Sequence, residues 1–312
     1  MVDINVQEDI DISSVKNPFE KAKKVECSEI TTVHRNFWFN LKSSFKGNPL
    51  AIMSLVILII VIVMSLLAPL SPYDPNAVDA ASKLQPPSLK HFFGTDDFGR
   101  DYFTRALYGG RLSLLVGFAS MGVTILIGTI LGTISGYMGG KVDMFIMRFS
   151  DIFVALPSFL LMVILNALFQ PGLVTLIGVL SLFSWARIAR ITRAETMSLK
   201  ERDYILAAKN LGASNLSIIF GHIIPNMSSS IIVSASLSVA SAILTESSLS
   251  FLGLGVQLPQ SSWGSMLQLA QKYILDKPYM AIFPGLLILL MVLSFNILGD
   301  TLRNAFEPKL IK

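Results

Sequence analysis

Long uncharged apolar segments constrain this chain more than any other feature of its sequence. Ile52–Ala68 contains no charged residue and, with its flanks, is long enough to cross a hydrocarbon core of about 30 Å. Within lipid the backbone polar groups must be satisfied inside the segment, so such a span is a helix. Further candidate spans follow along the chain: Leu112–Ile134, Ile152–Phe169, Leu173–Ala186, Ile231–Leu254 and Ala281–Leu298.

The composition supports the same conclusion. Apolar residues make up 52% of the chain and charged residues only 15%, which is far from the composition of a soluble domain. We therefore predict an all-α membrane protein with six transmembrane helices. An even number of spans places both termini on the same side of the membrane.

The distribution of lysine and arginine indicates which side that is. Basic residues concentrate before the first span, after the fourth span and in the C-terminal tail, whereas the loops on the opposite side carry few. Excess positive charge marks the cytoplasmic side, so both termini are predicted to be cytoplasmic. The net charge of +4 follows from this topology. No recognisable nucleic-acid-binding module accompanies it, so nucleic acid is not a predicted partner.

The residues before the first span divide into two segments. Residues 1–30 are acidic and lack the apolar core of a secretory signal, so we predict a flexible cytoplasmic tail. In residues 31–48, apolar side chains recur every four positions from Phe37 to Phe45, with lysines toward water. This pattern predicts an elbow helix that lies in the membrane interface and contacts lipid. Residues 49–312 then form the transmembrane domain.

Several kinds of chemistry have no support in the sequence. Cys27 is the only cysteine, which excludes intramolecular disulfides and cysteine-rich metal sites, and no metal site is predicted. The fragment nearest to a Walker A loop is Gly140-Lys141, where Ser135 replaces the first glycine and Val142 replaces the serine or threonine. Neither H-E-x-x-H nor G-x-S-x-G occurs. We predict no catalytic residue and no cofactor in this chain, so any ATP chemistry belongs to another subunit.

A polar segment between the fourth and fifth spans has the pattern of two short helices. Gly212 is expected to adopt φ > 0 and close the first helix, Ser214 to cap the second, and Pro225 to end the element. The segment resembles the EAA loop of ABC importer permeases, whose coupling helix docks into a groove on the ATPase subunit. The alternative is an ordinary cytoplasmic loop. The resemblance implies ATPase coupling for Arg202, Asp203, Tyr204, Ala207, Ala208, Gly212 and Ala213.

The segment departs from the general EAA pattern at two positions. Leu206 stands where the pattern begins with glutamate, and His222 stands where it has isoleucine. Contacts that depend on the glutamate therefore do not carry over. The small residues Ala207, Ala208 and Gly212 keep their implied role, because small side chains permit close approach.

Three further motifs narrow the resemblance. Phe93–Asp101 contains the sequence G-T-D-D-F-G-R-D, Ser248–Pro259 reads S-L-S-F-L-G-L-G-V-Q-L-P, and Phe295–Arg303 reads F-N-I-L-G-D-T-L-R. In this order they resemble the C-type permease subunit of the dipeptide/oligopeptide/nickel importers.

The resemblance implies a type I ABC importer permease fold and several partners. These are a B-type permease, two ATPase subunits that carry ATP and Mg²⁺, and an extracytoplasmic binding protein docking on Ser71–Tyr108 and Val256–Met280. The implied location is the cytoplasmic membrane of a bacterium or archaeon, and the implied substrate is a dipeptide or oligopeptide. Nickel or another small solute is the alternative within the family. An ATP-independent secondary transporter or a structural scaffold is the competing class.

Hydroxyl groups form a stripe along the fifth span, at steps of three and four residues. This face could line an aqueous pathway, or it could hydrogen-bond a neighbouring helix. Glu246 lies about 100° from the stripe, and a carboxylate within a membrane span is a functional candidate. It could equally pair with a serine or an arginine of a partner subunit. The candidate pathway residues are Ser234, Ser238, Ser241, Thr245 and Glu246.

Two local patterns predict contacts between or along helices. Gly128, Gly132 and Gly136 recur at every fourth position of the second span and are expected to let another helix pack closely. Arg148 and Asp151 are three residues apart and are expected to form an ion pair at the cytoplasmic end of the third span.

Overall fold

The computed structural model describes residues 44–169 and 172–306, which are helical apart from loops and short turns. The predicted tail, residues 1–30, lies outside this part, as does most of the predicted elbow helix, residues 31–48. The helices are α1 Pro49–Leu66, α2 Tyr102–Met138, α3 Gly140–Ala155, α4 Ser158–Leu168, α5 Leu173–Leu199, α6 Asp203–Asn210, α7 Asn215–Ile218, α8 Ile224–Asn226, α9 Ser228–Phe251, α10 Trp263–Ala270 and α11 Tyr279–Phe306.

The transmembrane prediction is confirmed, with one span broken. Of the described helices, α1, α2, α5, α9 and α11 are each long and apolar enough to cross a membrane, and α3 with α4 makes a sixth span if the bent pair is counted as one. The two halves meet at 84°. Leu156 precedes Pro157 and is extended, at φ −84° and ψ 144°, because the proline ring disfavours α geometry in the residue before it.

The helix that carries the fourth span continues beyond the predicted span. The span is predicted to end at Ala186, before three arginines, and α5 continues to Leu199. Acidic residues of α3 compensate two of these charges: Arg193 Nη2 lies 2.6 Å from Asp143 Oδ2, and Arg190 Nη2 lies 2.8 Å from Asp151 Oδ1.

The expected ion pair between Arg148 and Asp151 is therefore wrong. Asp151 instead pairs with Arg190 of α5. The contact between helices took precedence over the contact along one helix, because α3 packs against α5 with its aspartates on the contact side.

The close packing predicted from the glycines is confirmed. Gly128, Gly132 and Gly136 of α2 lie against α5, where an added Cβ at Gly132 would come within 2.3 Å of the Ala189 carbonyl oxygen. The Thr192 hydroxyl crosses this contact and donates to the carbonyl of Gly128 at 3.1 Å. These contacts make α2 and α5 one closely packed pair.

The loop before α2 is held by the motif 94–101. Asp96 accepts hydrogen bonds from the Arg100 side chain at 2.6 Å and from its backbone N–H at 3.0 Å. Asp101 caps α2 by accepting from the backbone N–H of Thr104 at 2.7 Å. Asp96, Arg100 and Asp101 are buried, so their hydrogen bonds stabilise the loop and fix where α2 begins.

The main apolar core joins α2, α9, α10 and α11. Tyr102, Ile243, Trp263, Met280 and Phe295 pack together there and are buried. Tyr102, Trp263 and Met280 lie near the end of α2 that follows the loop. This core therefore packs α9, α10 and α11 together at the end far from the coupling segment.

Candidate functional site

The first half of the coupling segment ends as the sequence predicted. Gly212 has φ +85°. The Gly212 N–H donates to the Lys209 backbone carbonyl at 3.0 Å, and the Ala213 N–H donates to the Ala208 backbone carbonyl at 3.1 Å. These two bonds are a Schellman motif, which satisfies the last carbonyls of α6 and turns the chain sharply.

The second half begins as predicted and continues through a π-helical turn. The Ser214 hydroxyl accepts from the Ser217 backbone N–H at 3.2 Å and caps α7. The chain then passes through a π-helical turn, Ile219–Ile223, into α8. Pro225 was expected to end the element, and α8 ends one residue after it, at Asn226. Only Met227 separates α8 from α9.

An apolar cluster fastens the coupling segment to the membrane helices. Its buried members are Ile205, Ile218, Ile223 and Met227, with Tyr137 of α2 and Leu199 of α5 packed against them. The Tyr137 hydroxyl also donates to Asn215 Oδ1 at 3.1 Å. The segment therefore packs against the ends of α2 and α5 that are predicted to be cytoplasmic.

The opposite face of the segment is open. Arg202, Asp203, Tyr204, Ala207 and Gly212 are exposed, while Ala208 and Ala213 are half-buried. Large apolar side chains share this open face and were missed by the sequence reasoning: Leu206, Leu211, Leu216 and Phe220. The sequence could have indicated them, because they are apolar residues in a polar segment that lies outside any predicted span. Exposed apolar residues grouped in this way mark an interaction surface.

The residues of the hydroxyl stripe on α9 differ in their exposure to solvent. Ser234 is buried, Ser238 and Thr245 are half-buried, and Ser241 is exposed. The Ser238 hydroxyl donates to the Ser234 carbonyl at 2.7 Å, and the Thr245 hydroxyl donates to the Ser241 carbonyl at 2.8 Å. These hydroxyls are satisfied within their own helix and need no partner helix as a hydrogen-bond acceptor.

Glu246 lies apart from the stripe and is fully buried. Its Oε1 accepts from the Ser250 hydroxyl at 2.7 Å. Its Oε2 accepts from Ser113 of α2 at 3.0 Å and from Ser247 at 3.4 Å. The carboxylate thus links α9 to α2 through serine hydroxyls of this same chain.

Within residues 44–169 and 172–306, no group of three or more histidine, cysteine, aspartate or glutamate side chains is placed to hold a metal ion. The acidic groups near the predicted cytoplasmic ends of α3 and α5 are engaged by arginines.

Comparison with known families agrees with this arrangement. Residues 128–312 match the family model described as binding-protein-dependent transport system inner membrane component. Residues 36–87 match the N-terminal transmembrane domain of oligopeptide transport permease C. The chain belongs to the binding-protein-dependent transport permeases. It is a multi-pass membrane protein with the type I ABC permease fold and is a permease subunit of an ABC importer.

Individual relatives cover most of this permease. It is 43% identical to the dipeptide transport system permease protein DppC of Alkalihalophilus pseudofirmus over 274 residues, covering 88% of this chain and 90% of the relative. It is 39% identical to the oligopeptide transport system permease protein OppC of Bacillus subtilis, covering 95% and 98%. The glutathione transport system permease protein GsiD of Pectobacterium atrosepticum is 43% identical, covering 75% and 78%.

Proposed function

We propose that this permease takes up dipeptides or oligopeptides as one half of a heterodimer with a B-type permease. Two ATPase subunits bind it from the cytoplasm, and an extracytoplasmic binding protein delivers the substrate. The observation that carries the proposal is the coupling segment, with its glycine-closed corner, an open apolar face and a buried face fastened to α2 and α5. The peptide substrate is supported by the names of relatives that the chain matches over most of its length.

The open face is the proposed ATPase contact. Arg202, Asp203, Tyr204 and Ala207 contact the ATPase groove, and the apolar side chains beside them lose their exposure to water there. Gly212 and Ala213 form the corner that orients this face. Movement of the groove then displaces α6 and α7, and the apolar cluster transmits the displacement to α2 and α5.

The permease itself contributes no covalent chemistry. ATP and Mg²⁺ bind the ATPase subunits, and closure of those subunits changes the relative stability of two arrangements of the membrane helices. We accordingly expect the purified chain, free of other subunits, neither to bind nor to hydrolyse ATP.

The exposed part of the hydroxyl stripe is the proposed pathway. Ser241, with Ser238 and Thr245 half-buried beside it, offers a polar surface on α9. Ser234 continues this line toward the coupling segment. Glu246 does not share the surface, because serines of this chain enclose its carboxylate.

The proposed orientation places both termini and the coupling segment in the cytoplasm of a bacterial or archaeal cell. The loop before α2 and the coupling segment lie at opposite ends of α2, a helix of 37 residues. At 1.5 Å per residue this is about 55 Å, more than a bilayer core requires. Ser71–Tyr108 and Val256–Met280 then face outward as the proposed surfaces for the binding protein.

The corner of the coupling segment provides the test. A side chain at Gly212 meets no atom within 4 Å, but φ is +85°, a conformation that costs an L residue about 1 kcal/mol or more. We expect Gly212→Val to redirect the corner and Ala208→Trp to obstruct the contact. Gly221→Ala is the control, since Gly221 has open space and no left-handed φ.

Each reconstituted complex is assayed for retention of the ATPase subunits, for ATP hydrolysis and for peptide uptake. Gly212→Val and Ala208→Trp should lose ATPase subunits or hydrolyse ATP without uptake, whereas Gly221→Ala should behave as the wild type. Normal coupled uptake in both test variants would exclude this segment as the coupling element.

A further inference from the structure

We propose that Glu246 is a positioning residue that fixes the far end of α9 to α2 and α10, so that the three helices move together when the coupling segment is displaced. The proposal rests on the coupling function proposed above. It assigns to Glu246 a role inside this subunit, separate from contact with the transported substrate.

The carboxylate is the centre of contacts that no single helix could make. Its two oxygens accept from three serines, of which Ser247 and Ser250 belong to α9 and Ser113 belongs to α2. Glu246 is fully buried and its serine partners are at most 4% exposed. Exclusion of water keeps these hydrogen bonds from exchanging with solvent and makes each of them costly to leave unmade.

Two of these serines extend the contact to α10 and the loop before it. The Ser113 oxygen accepts from the backbone N–H of Trp263, the first residue of α10, at 3.3 Å. The Ser250 oxygen accepts from the backbone N–H of Val256 at 3.2 Å. Each hydroxyl has one proton to donate and lone pairs to accept with. Because the proton goes to Glu246, the lone pairs face these N–H groups.

The backbone is packed closely around the same point. A Cβ added at Gly264 would come within 2.5 Å of the Ser247 carbonyl oxygen, so α10 touches α9 directly there. The Trp263 indole N–H donates to the Ala106 carbonyl of α2 at 3.0 Å. Position and orientation of α10 therefore both depend on the surface that Glu246 organises.

Glu246 lies near the end of α9 that is far from the coupling segment, so its contacts bear on how movement passes along this helix. α9 begins at Ser228, directly after the coupling segment, and has 24 residues. Glu246 lies 18 residues further on, about 27 Å at 1.5 Å per residue. One end of α9 therefore continues from the ATPase contact and the other is bound to α2 and α10, so α9 connects the two faces of the subunit mechanically.

Glu246→Gln and Ser113→Ala test this role in the full complex with its partner subunits. The glutamine NH₂ cannot accept a hydroxyl proton, so one of the two acceptor positions is lost. Ser113→Ala removes the bond between α9 and α2 and also the acceptor of the Trp263 N–H. Ser184→Ala is the matched control, because the Ser184 hydroxyl donates within its own helix, to the Leu180 carbonyl at 2.8 Å. ATP hydrolysis is measured with and without ligand-loaded binding protein, and hydrogen exchange is measured over residues 262–270.

We expect Glu246→Gln to retain its ATPase subunits, to lose the stimulation of hydrolysis by the binding protein, and to exchange residues 262–270 about fivefold faster, the order expected when one hydrogen bond is lost. Ser113→Ala should change both readouts in the same direction. The double variant should lose less than the sum of the two single variants, because Ser113 and Glu246 belong to one hydrogen-bond network.

Wild-type stimulation and wild-type exchange in Glu246→Gln would overturn the proposal, as would equal losses in Ser184→Ala. If Glu246→Gln does not assemble, normal stimulation and exchange in Ser113→Ala would overturn it. Lost stimulation together with faster exchange over residues 264–270, beyond the Trp263 N–H that Ser113 itself binds, would support it. A wild-type complex that the binding protein does not stimulate counts against the proposed function alone. The rate of hydrogen exchange over residues 262–270 then still decides whether Glu246 fixes the position of α10.

Discussion

Gly132 provides the sharpest test of the contact between α2 and α5. In Gly132→Ala the new Cβ would lie 2.3 Å from the Ala189 carbonyl oxygen and would also collide with the Thr192 hydroxyl. The carbonyl belongs to the backbone of α5, so rotation of a side chain cannot relieve the collision and the helices must separate. Thr192 would also lose its bond to Gly128, which is 3.1 Å long.

The net cost follows from three contributions. Overpacking costs about 1–3 kcal/mol. Loss of the Thr192 hydrogen bond adds about 1 kcal/mol. The higher helix propensity of alanine returns about 1 kcal/mol. We therefore expect Gly132→Ala to destabilise the subunit by about 1–3 kcal/mol.

Gly122→Ala is the internal control. Gly122 lies in the same helix, with no atom within 4 Å of an added Cβ, so only the gain in helix propensity remains. The assay is the temperature of thermal inactivation of the purified complex, where each kcal/mol shifts the midpoint by about 2–4 °C in a chain of roughly this size. Equal midpoints for Gly122→Ala and Gly132→Ala would refute the packing argument.

The orientation and the pathway can be tested in the same manner. In a Cys27→Ser background, a cysteine at Leu89, which is 94% exposed, should react with a membrane-impermeant thiol reagent on intact cells, whereas a cysteine at the exposed Glu201 should react only after lysis. The reverse pattern would contradict the proposed topology. Ser241→Trp should block peptide uptake and leave the complex assembled, because Ser241 is exposed, whereas Ser234→Trp should prevent assembly because Ser234 is buried. Unimpaired uptake by an assembled Ser241→Trp complex would remove Ser241 from the pathway.

The features predicted correctly from the sequence depend on local backbone chemistry or on regular spacing. Gly212 could be assigned φ > 0 because only a residue without Cβ adopts it easily at a helix end. The glycines at every fourth position of α2 could be assigned to a close contact because that spacing places them on one helix face. Neither inference required knowledge of the partner surface.

The errors arose where contacts distant in sequence decided the outcome. The pair between Arg148 and Asp151 was predicted from their spacing along one helix, and Arg190 of another helix was not foreseeable as the partner of Asp151. The hydrogen bond from Ser113 to Glu246, which joins residues 133 apart in the sequence, was not foreseeable either.

The broken third span bears on how the chain enters the membrane during synthesis. α4 has 11 residues, about 16 Å of helix, which is too short to cross the bilayer alone. α3 before it carries aspartates whose charges are compensated only by arginines of α5. Residues 140–168 are therefore expected to insert stably only after α5 has been synthesised, as a unit with it. Biogenesis of this subunit would then depend on a helical hairpin of α3 and α4 with α5. The insertion machinery would retain residues 140–168 until α5 has been synthesised.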